Sequence, residues 1–285
     1  MKDKFTLTQF KVRFPDDAAC LEELKRRVFG DELACPKCTK TNKFYRVTGR
    51  SAYACSFCGH HIYPLKNTPF DHSSTSLWTW YYAIFLMAQT RSGISAKTLE
   101  RMTGVTYKTA WRMFHQIRKL MAEDGVPLVG DVEVDEAYFH PNPQRRSTAQ
   151  AHNSQVVLGA VERGGRAKAW HVKSSGSRVI IPMVVSNVAA PSNIFTDDYR
   201  AYNILPVFNY GHASIKHSEG KYVNGKTHTQ NVENLWSHAK LGIRGVYRHV
   251  SPKYLQTYLD EYTFRYSNRK YPKQMFDLIL SQVAK

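Results

Sequence analysis

The spacing of apolar residues changes character several times along this chain. Residues 1–30 carry helical spacing broken at Pro15. After the break, Leu21, Leu24 and Val28 form one stripe, and Asp16 or Asp17 stands where a cap belongs. Residues 31–66 hold only short strand-like pieces, KFYRV and SAYAC. Residues 76–124 read as helical throughout and begin on the apolar run Leu77–Ala88. That run is too short to span a bilayer and is expected to be a buried helix. From 128 to 200 the pattern turns to strands: LVGDVEVDEAYF, QVVLGAVER, AKAWHVKS and SNIFTDDY. Helical spacing between Val179 and Val188 separates the third from the fourth. A stretch rich in Gly, Asn, His and Lys, 203–228, reads as loop. Helices then return, with Leu255, Leu259, Tyr262 and Tyr266 on one face. Three strands in meander, a crossover helix and a fourth strand predict a mixed sheet with flanking helices, hence an α/β class.

The strand-poor segment contains Cys35-Pro-Lys-Cys38 and Cys55-Ser-Phe-Cys58, sixteen residues apart. Two knuckles at that separation match a structural zinc site. Four thiolates close a tetrahedron and leave no position for water, so the expected Zn²⁺ is structural. Lys37, Lys40, Lys43, Arg46 and Arg50 surround the site, which suits a DNA-contacting ribbon or a protein docking module. Cys20 stands alone in a helical pattern. Five cysteines so arranged suggest no disulfide framework, and MKDKFTLTQF lacks an apolar signal region, so a reducing cytosol is the expected compartment.

SGISAKTLERMTGVTYKTAWRMFHQIRKLM breaks into two helical patterns at Thr103-Gly104. The first is expected from about Ser95 to Met102, the second from near Thr106. Ala110, Trp111, Phe114, Ile117 and Met121 form the expected apolar face of the second. Lys108, Arg112, His115 and Lys119 lie opposite. A short helix, a glycine turn and a longer basic helix fit a helix-turn-helix. An ordinary helical hairpin with a solvated basic side fits the same letters.

Charge bears on both modules. Among 285 residues, 40 Lys and Arg face 23 acids, a net +17, while 42% hydrophobic content suffices for a core. An excess spread along the whole chain points to a polyanionic partner. The acids gather in three places. Asp131, Glu133 and Asp135 share one face of a strand, where they repel each other without a cation. Asp197 and Asp198 end a second strand. Glu233 and Lys240, seven apart in HTQNVENLWSHAKLGIRG, lie on one helix face about 10 Å apart. Carboxylates from two strands and a helix suit two Mg²⁺ (or Mn²⁺) ions that attract a substrate phosphate.

With these segments quoted, the chain resembles the transposases of bacterial insertion sequences that join an N-terminal zinc ribbon to a DDE integrase domain of ribonuclease-H-like fold. The resemblance runs nearly full length through FPDDAACLEELKRRVFG, the cysteine quartet, VEVDEAYF, GAVERGGR, TDDYRAY, HTQNVENLWSHAKLGIRGVYRHVS and LDEYTFRYSNR. It implies a helical lead-in at 1–30, a zinc ribbon at 31–70, a helix-turn-helix-like region at 71–125 and the catalytic domain at 126–285. Asp135 and Asp197 are implied as the two aspartates, Glu233 as the third metal ligand and Lys240 as a contact to terminal DNA. Some relatives use Asn in the third acidic place. Here Glu233 has the right distance from Lys240 and is preferred over Asn231. Asp198 and Glu133 are lesser rivals to Asp197 and Asp135. Lys108, Arg112, Lys119 and Arg244 are further expected DNA contacts, and Trp236 is expected to pack on the sheet. The implied activity is cleavage of element ends and transfer of the 3′-hydroxyl to target DNA, by a homo-oligomer synapsed on the bacterial nucleoid. A catalytically decayed DNA-binding regulator and a nuclease of the same fold are the alternatives.

Overall fold

The computed structural model describes residues 5–122, 125–140, 154–215 and 228–284. The chain divides into two compact units, one of residues 1–90, 96–120 and 271–285, the other of 91–95 and 121–270.

In the first unit, α1 (Leu7–Arg13) opens on a reciprocal Thr6–Gln9 capping box, and α2 (Asp17–Phe29) on Asp16, whose carboxylate accepts from Ala19 N at 2.8 Å. Helix α3 (Leu77–Gln89) is apolar nearly all round, and nine of its residues are buried, as expected for a core helix. Phe5, Phe10, Phe14 and Tyr81 pack with Phe276 of α9 (Met275–Ser281) at centroid distances of 5.3–6.2 Å, and Phe85 packs on Phe10 at 5.0 Å. Arg13 and Arg27 bridge Glu23 to Asp277 and so tie α1, α2 and α9 together.

The ribbon strands β1 (Phe44–Arg46), β2 (Tyr53–Cys55) and β3 (His61–Ile62) pair antiparallel in that order. The helical stretch 76–124 is three helices: the break at 104–106 falls where Thr103-Gly104 put it, and 90–95 is a second interruption. Helix α4 (Ala96–Thr103) turns at Gly104, φ +73°, into α5 (Tyr107–Lys119), capped by Thr106. Lys108, Arg112 and Lys119 are exposed, as the pattern requires. Two positions of α5 differ. His115 is buried, while Trp111 is 37% exposed, their rings 4.1 Å apart. The ring of His115 also meets Phe114, and burial beside Arg118 and Lys119 pushes its pKa down to about 4. A neutral imidazole therefore packs where helical spacing suggested a solvated cation.

In the second unit, a five-stranded sheet has the order β6-β5-β4-β7-β8. Strands β4 (Asp131–Phe139), β5 (Gln155–Glu162) and β6 (Ala167–Val172) form the antiparallel meander; β7 (Asn193–Asp197) and β8 (Gly211–Ile215) run parallel to β4. This is the ribonuclease-H-like arrangement expected. Strand β8 was not: it lies in the stretch read as loop, and residues 200–208 before it form a 3₁₀ helix. GHASI lacks apolar alternation because β8 is an edge strand joined to β7 through its backbone. The rest of that stretch, 216–227, lies outside the described residues. One sheet face (Val132, Val134, Leu158, Ala160) buries itself under Ile180, Ile181 and Val184 of α6 (Ser177–Asn187). The other carries α7 (Gln230–Gly242) and α8 (Leu255–Ser267). Along the edge strand β6, Gln256 bonds His171 N and Ala169 O, and Ser267 accepts from Ala167 N. Those contacts cover a sheet edge with side-chain polar groups.

Candidate active site and metal centre

Strands β4 and β7 are parallel with Asp131 opposite Asn193 and Glu133 opposite Phe195. Carried two residues further, that register sets Asp135 beside Asp197, on strands about 4.8 Å apart. Asp197 is the last residue of β7, and its Oδ1 accepts from Tyr199 N at 3.1 Å. Asp198 lies past the strand end and is exposed. Asp135 sits in the middle of β4, which continues to Phe139.

The three acids on this face of β4 each find a different partner. Asp131 accepts from Asn193 Nδ2 at 2.8 Å. Glu133 is fully buried, paired with Arg163 Nε at 2.9 Å, and His228 Nδ1 lies 3.0 Å away. It also accepts from Asn231 N at 2.7 Å, Asn231 Nδ2 at 2.8 Å and Val232 N at 3.3 Å, which are groups of the first turn of α7. Glu133 therefore anchors the helix N-terminus. Asn231, committed to Glu133, is part of that anchor. The mutual repulsion expected of these acids is relieved by protein groups at 131 and 133.

Asp135 differs. Its Oδ2 accepts from the indole Nε1 of Trp236 at 3.1 Å. Burial raises its pKa to about 6, with Asp197 and, less strongly, Glu233 adding to the rise against the indole hydrogen bond. Trp236 is buried against the sheet, as expected, and a base has no access to stack on it. It reaches Asp135 only because the residue opposite on β5 is Gly159: a Cβ there would lie 2.3 Å from the indole. Glu233, three residues before Trp236 on α7, is exposed, and its Oε1 accepts from Thr229 Oγ1 at 2.7 Å. Farther along α7, Lys240 Nζ stands 5.7 Å from the Phe139 ring, and Arg244 is exposed in a π-helical turn after the helix. On the opposite face of β4, burial raises Glu136 to about 7, opposed by Tyr202 and reinforced by Asp135 and Asp197. Arg163, Gly159 and Glu136 carried no signal of these roles, because each depends on residues distant in the chain.

Asp197 and Glu233 both act on Asp135 through their charge, and the three carboxylates together are hard oxygen donors of the kind Mg²⁺ takes. The carboxylates are not drawn together as the sulfurs are. Among the described residues, Cys35, Cys38, Cys55 and Cys58 form the only such group, with all four sulfurs within 4.8 Å of one another. Cys35 and Cys58 Sγ are 3.6 Å apart, Cys38 and Cys55 3.9 Å. A tetrahedron with Zn–S bonds of about 2.3 Å has edges of about 3.8 Å, so the quartet fits zinc. The backbone N–H of Cys58 leads in pulling Cys55 down to about 6, whereas Cys58 rises to about 11 as burial and neighbouring sulfurs outweigh its bond from His60. Sulfurs this close do not all ionise without a cation to share.

Two family models match. The transposase zinc-ribbon domain covers residues 15–61, and the ISXO2-like transposase domain covers 127–267. The first spans the cysteine quartet, the second all three carboxylates and Lys240. A protein of the transposable element ISH50 in Halobacterium salinarum is 27% identical over 81% of this chain and 84% of its own length. A transposase-like protein of Haemophilus influenzae is 28% identical over 38% of this chain and 85% of its own. No helix among the described residues is long and apolar enough to cross a membrane. From its two matched domains, its sheet order and its sulfur tetrahedron, the chain belongs to the insertion-sequence transposases that join a zinc ribbon to an ISXO2-like domain.

Proposed function

We propose that this transposase cuts the ends of its element and joins the freed 3′-hydroxyl strands to target DNA by phosphoryl transfer at Asp135, Asp197 and Glu233. The observation that carries the reading is the β4–β7 register, which aligns Asp135 with Asp197, together with α7, whose Trp236 bonds Asp135 and whose Glu233 contributes to its raised pKa. Asp135, Asp197 and Glu233 would hold divalent ions there, and such ions would neutralise charge on the attacking and leaving oxygens of the phosphodiester. Asp135 and Asp197 hold their share from the rigid sheet. Glu233, exposed and accepting from Thr229, would complete the set from α7. Lys240, about 10 Å farther along the same helix, takes a DNA phosphate beside the acids. The exposed Lys108, Arg112 and Lys119 of α5 supply a basic helix face for duplex DNA, and Arg244 adds a phosphate contact after α7. Two ends must be held together for joining, so the working form is a homo-oligomer on DNA.

The test uses the purified protein, Mg²⁺ or Mn²⁺, and duplexes carrying the native element ends. Asp135→Asn, Asp197→Asn and Glu233→Gln are each expected to lower nicking at least about a hundredfold while DNA binding persists. Nicking that survives in Glu233→Gln removes that residue from the set. Intact binding without nicking by the unaltered protein identifies a DNA-binding regulator instead.

A further inference from the structure

The ribbon sheet has one face seated and one face open. On the seated face Tyr53 and Ile62 are cross-strand neighbours, and Arg46, opposite Tyr53 on the edge strand, stays exposed. Tyr53 and Ile62 are buried, and Lys25 of α2 lies 4.6 Å from the Tyr53 ring. On the other face the same register aligns Tyr45, Ala54 and His61 in a row across the three strands, with Tyr63 next after His61 at a ring distance of 6.4 Å. Tyr45 is 60% exposed and Tyr63 47%. Large rings left in water on a small zinc-held sheet mark a contact surface. The charge around them says of what kind. From residue 33 to residue 70 the chain has Lys37, Lys40, Lys43, Arg46, Arg50 and Lys66 and no acid at all.

We propose that this open face, Tyr45, Ala54, His61 and Tyr63, is a stacking platform for the unpaired bases of single-stranded DNA. The proposal rests on the reading of the chain as a DNA transposase and adds which form of DNA the ribbon holds. Flat rings around a small residue offer π-faces to bases, and every base has a π-face. A paired duplex hides those faces inside its stack and presents phosphates and groove edges instead. The surrounding cations hold the backbone of the strand without reading its sequence.

The test measures fluorescence anisotropy of a labelled oligo-dT of about 20 nucleotides, and of a duplex of equal length, with the zinc-loaded full chain at one salt concentration. Tyr45→Ala and Tyr63→Ala are each expected to weaken single-strand binding about tenfold and to leave duplex binding unchanged. Tyr45→Phe, which keeps the ring, is expected to bind as the unaltered protein does. Zinc content checks that each variant keeps its fold. Equal weakening on both DNA forms overturns the proposal, since the face then touches only the backbone. Unchanged binding overturns it too and leaves the face to a protein partner. If the unaltered protein holds neither form of DNA, the DNA-transposase reading fails along with it.

Discussion

The indole of Trp236 and the absent side chain of Gly159 act as one unit. Every atom added at residue 159 enters space the ring fills. Gly159→Ala is therefore expected to destabilise the protein by about 1–3 kcal/mol in urea unfolding. In a Trp236→Leu background the same change is expected to cost much less. Equal costs in both backgrounds show that the ring is not what Gly159 accommodates. The acid beneath that ring carries a pH signature. Burial and the neighbouring carboxylates raise Asp135 from 3.8 to about 6, so between those values the folded chain keeps a proton that the unfolded chain has released. Stability from this group is present at the acid end of that window and is lost as pH rises through it. Metal-free Asp135→Asn, which keeps an acceptor for the indole, is expected to exceed the unaltered protein in stability at pH 7. The gain is at most about 3 kcal/mol and shrinks toward zero near pH 4. A gain that stays constant with pH sinks the account.

Among the elements, α7 matters most, because it brings Glu233, Trp236 and Lys240 to β4 at once. Its N-terminus is held by Glu133, a carboxylate from the strand rather than from the helix. Glu133→Ala leaves the partly buried Arg163 and the first turn of α7 without their carboxylate, and breaking such a pair costs up to about 3–5 kcal/mol. Glu233→Gln, at an exposed position of the same helix, is expected to change stability by less than about 0.5 kcal/mol. Chemical denaturation of the two variants separates the anchor from the proposed ligand, and the reverse ranking exchanges their roles. The alternation of VEVDE put Glu133 and Asp135 on one face but gave both the same appearance. Likewise, the apolar stripe located α5 correctly yet misassigned Trp111 and His115, since a single helix does not reveal which side its neighbours cover. Strand β8 escaped notice because backbone pairing to β7, not side-chain pattern, makes it a strand.

At the scale of the whole molecule, the ribbon and the second unit rest on different chemistry. The ribbon has three strands of two or three residues each and depends on its four sulfurs. The second unit has a five-stranded sheet buried on both faces. Chelation of zinc, or Cys35→Ser, is expected to abolish amide-exchange protection over residues 35–62 and to leave protection in β4, β5 and β7 intact. Protection that persists in the ribbon after zinc is removed shows that the sheet stands without the metal.

Local chemistry made much of this protein legible from its letters. Cysteine spacing determined the zinc quartet, the Asp16-Asp17 pair determined where α2 begins, and strand alternation determined the meander and the positions of the acids. The tertiary structure alone decided what each acid does. Asp131, Glu133 and Asp135 are equivalent along their strand, but Asn193, Arg163 and Trp236 arrive from about 30 to 100 residues away to neutralise, bury or orient them. The environment that sets a carboxylate's charge and partner is made by packing between distant segments.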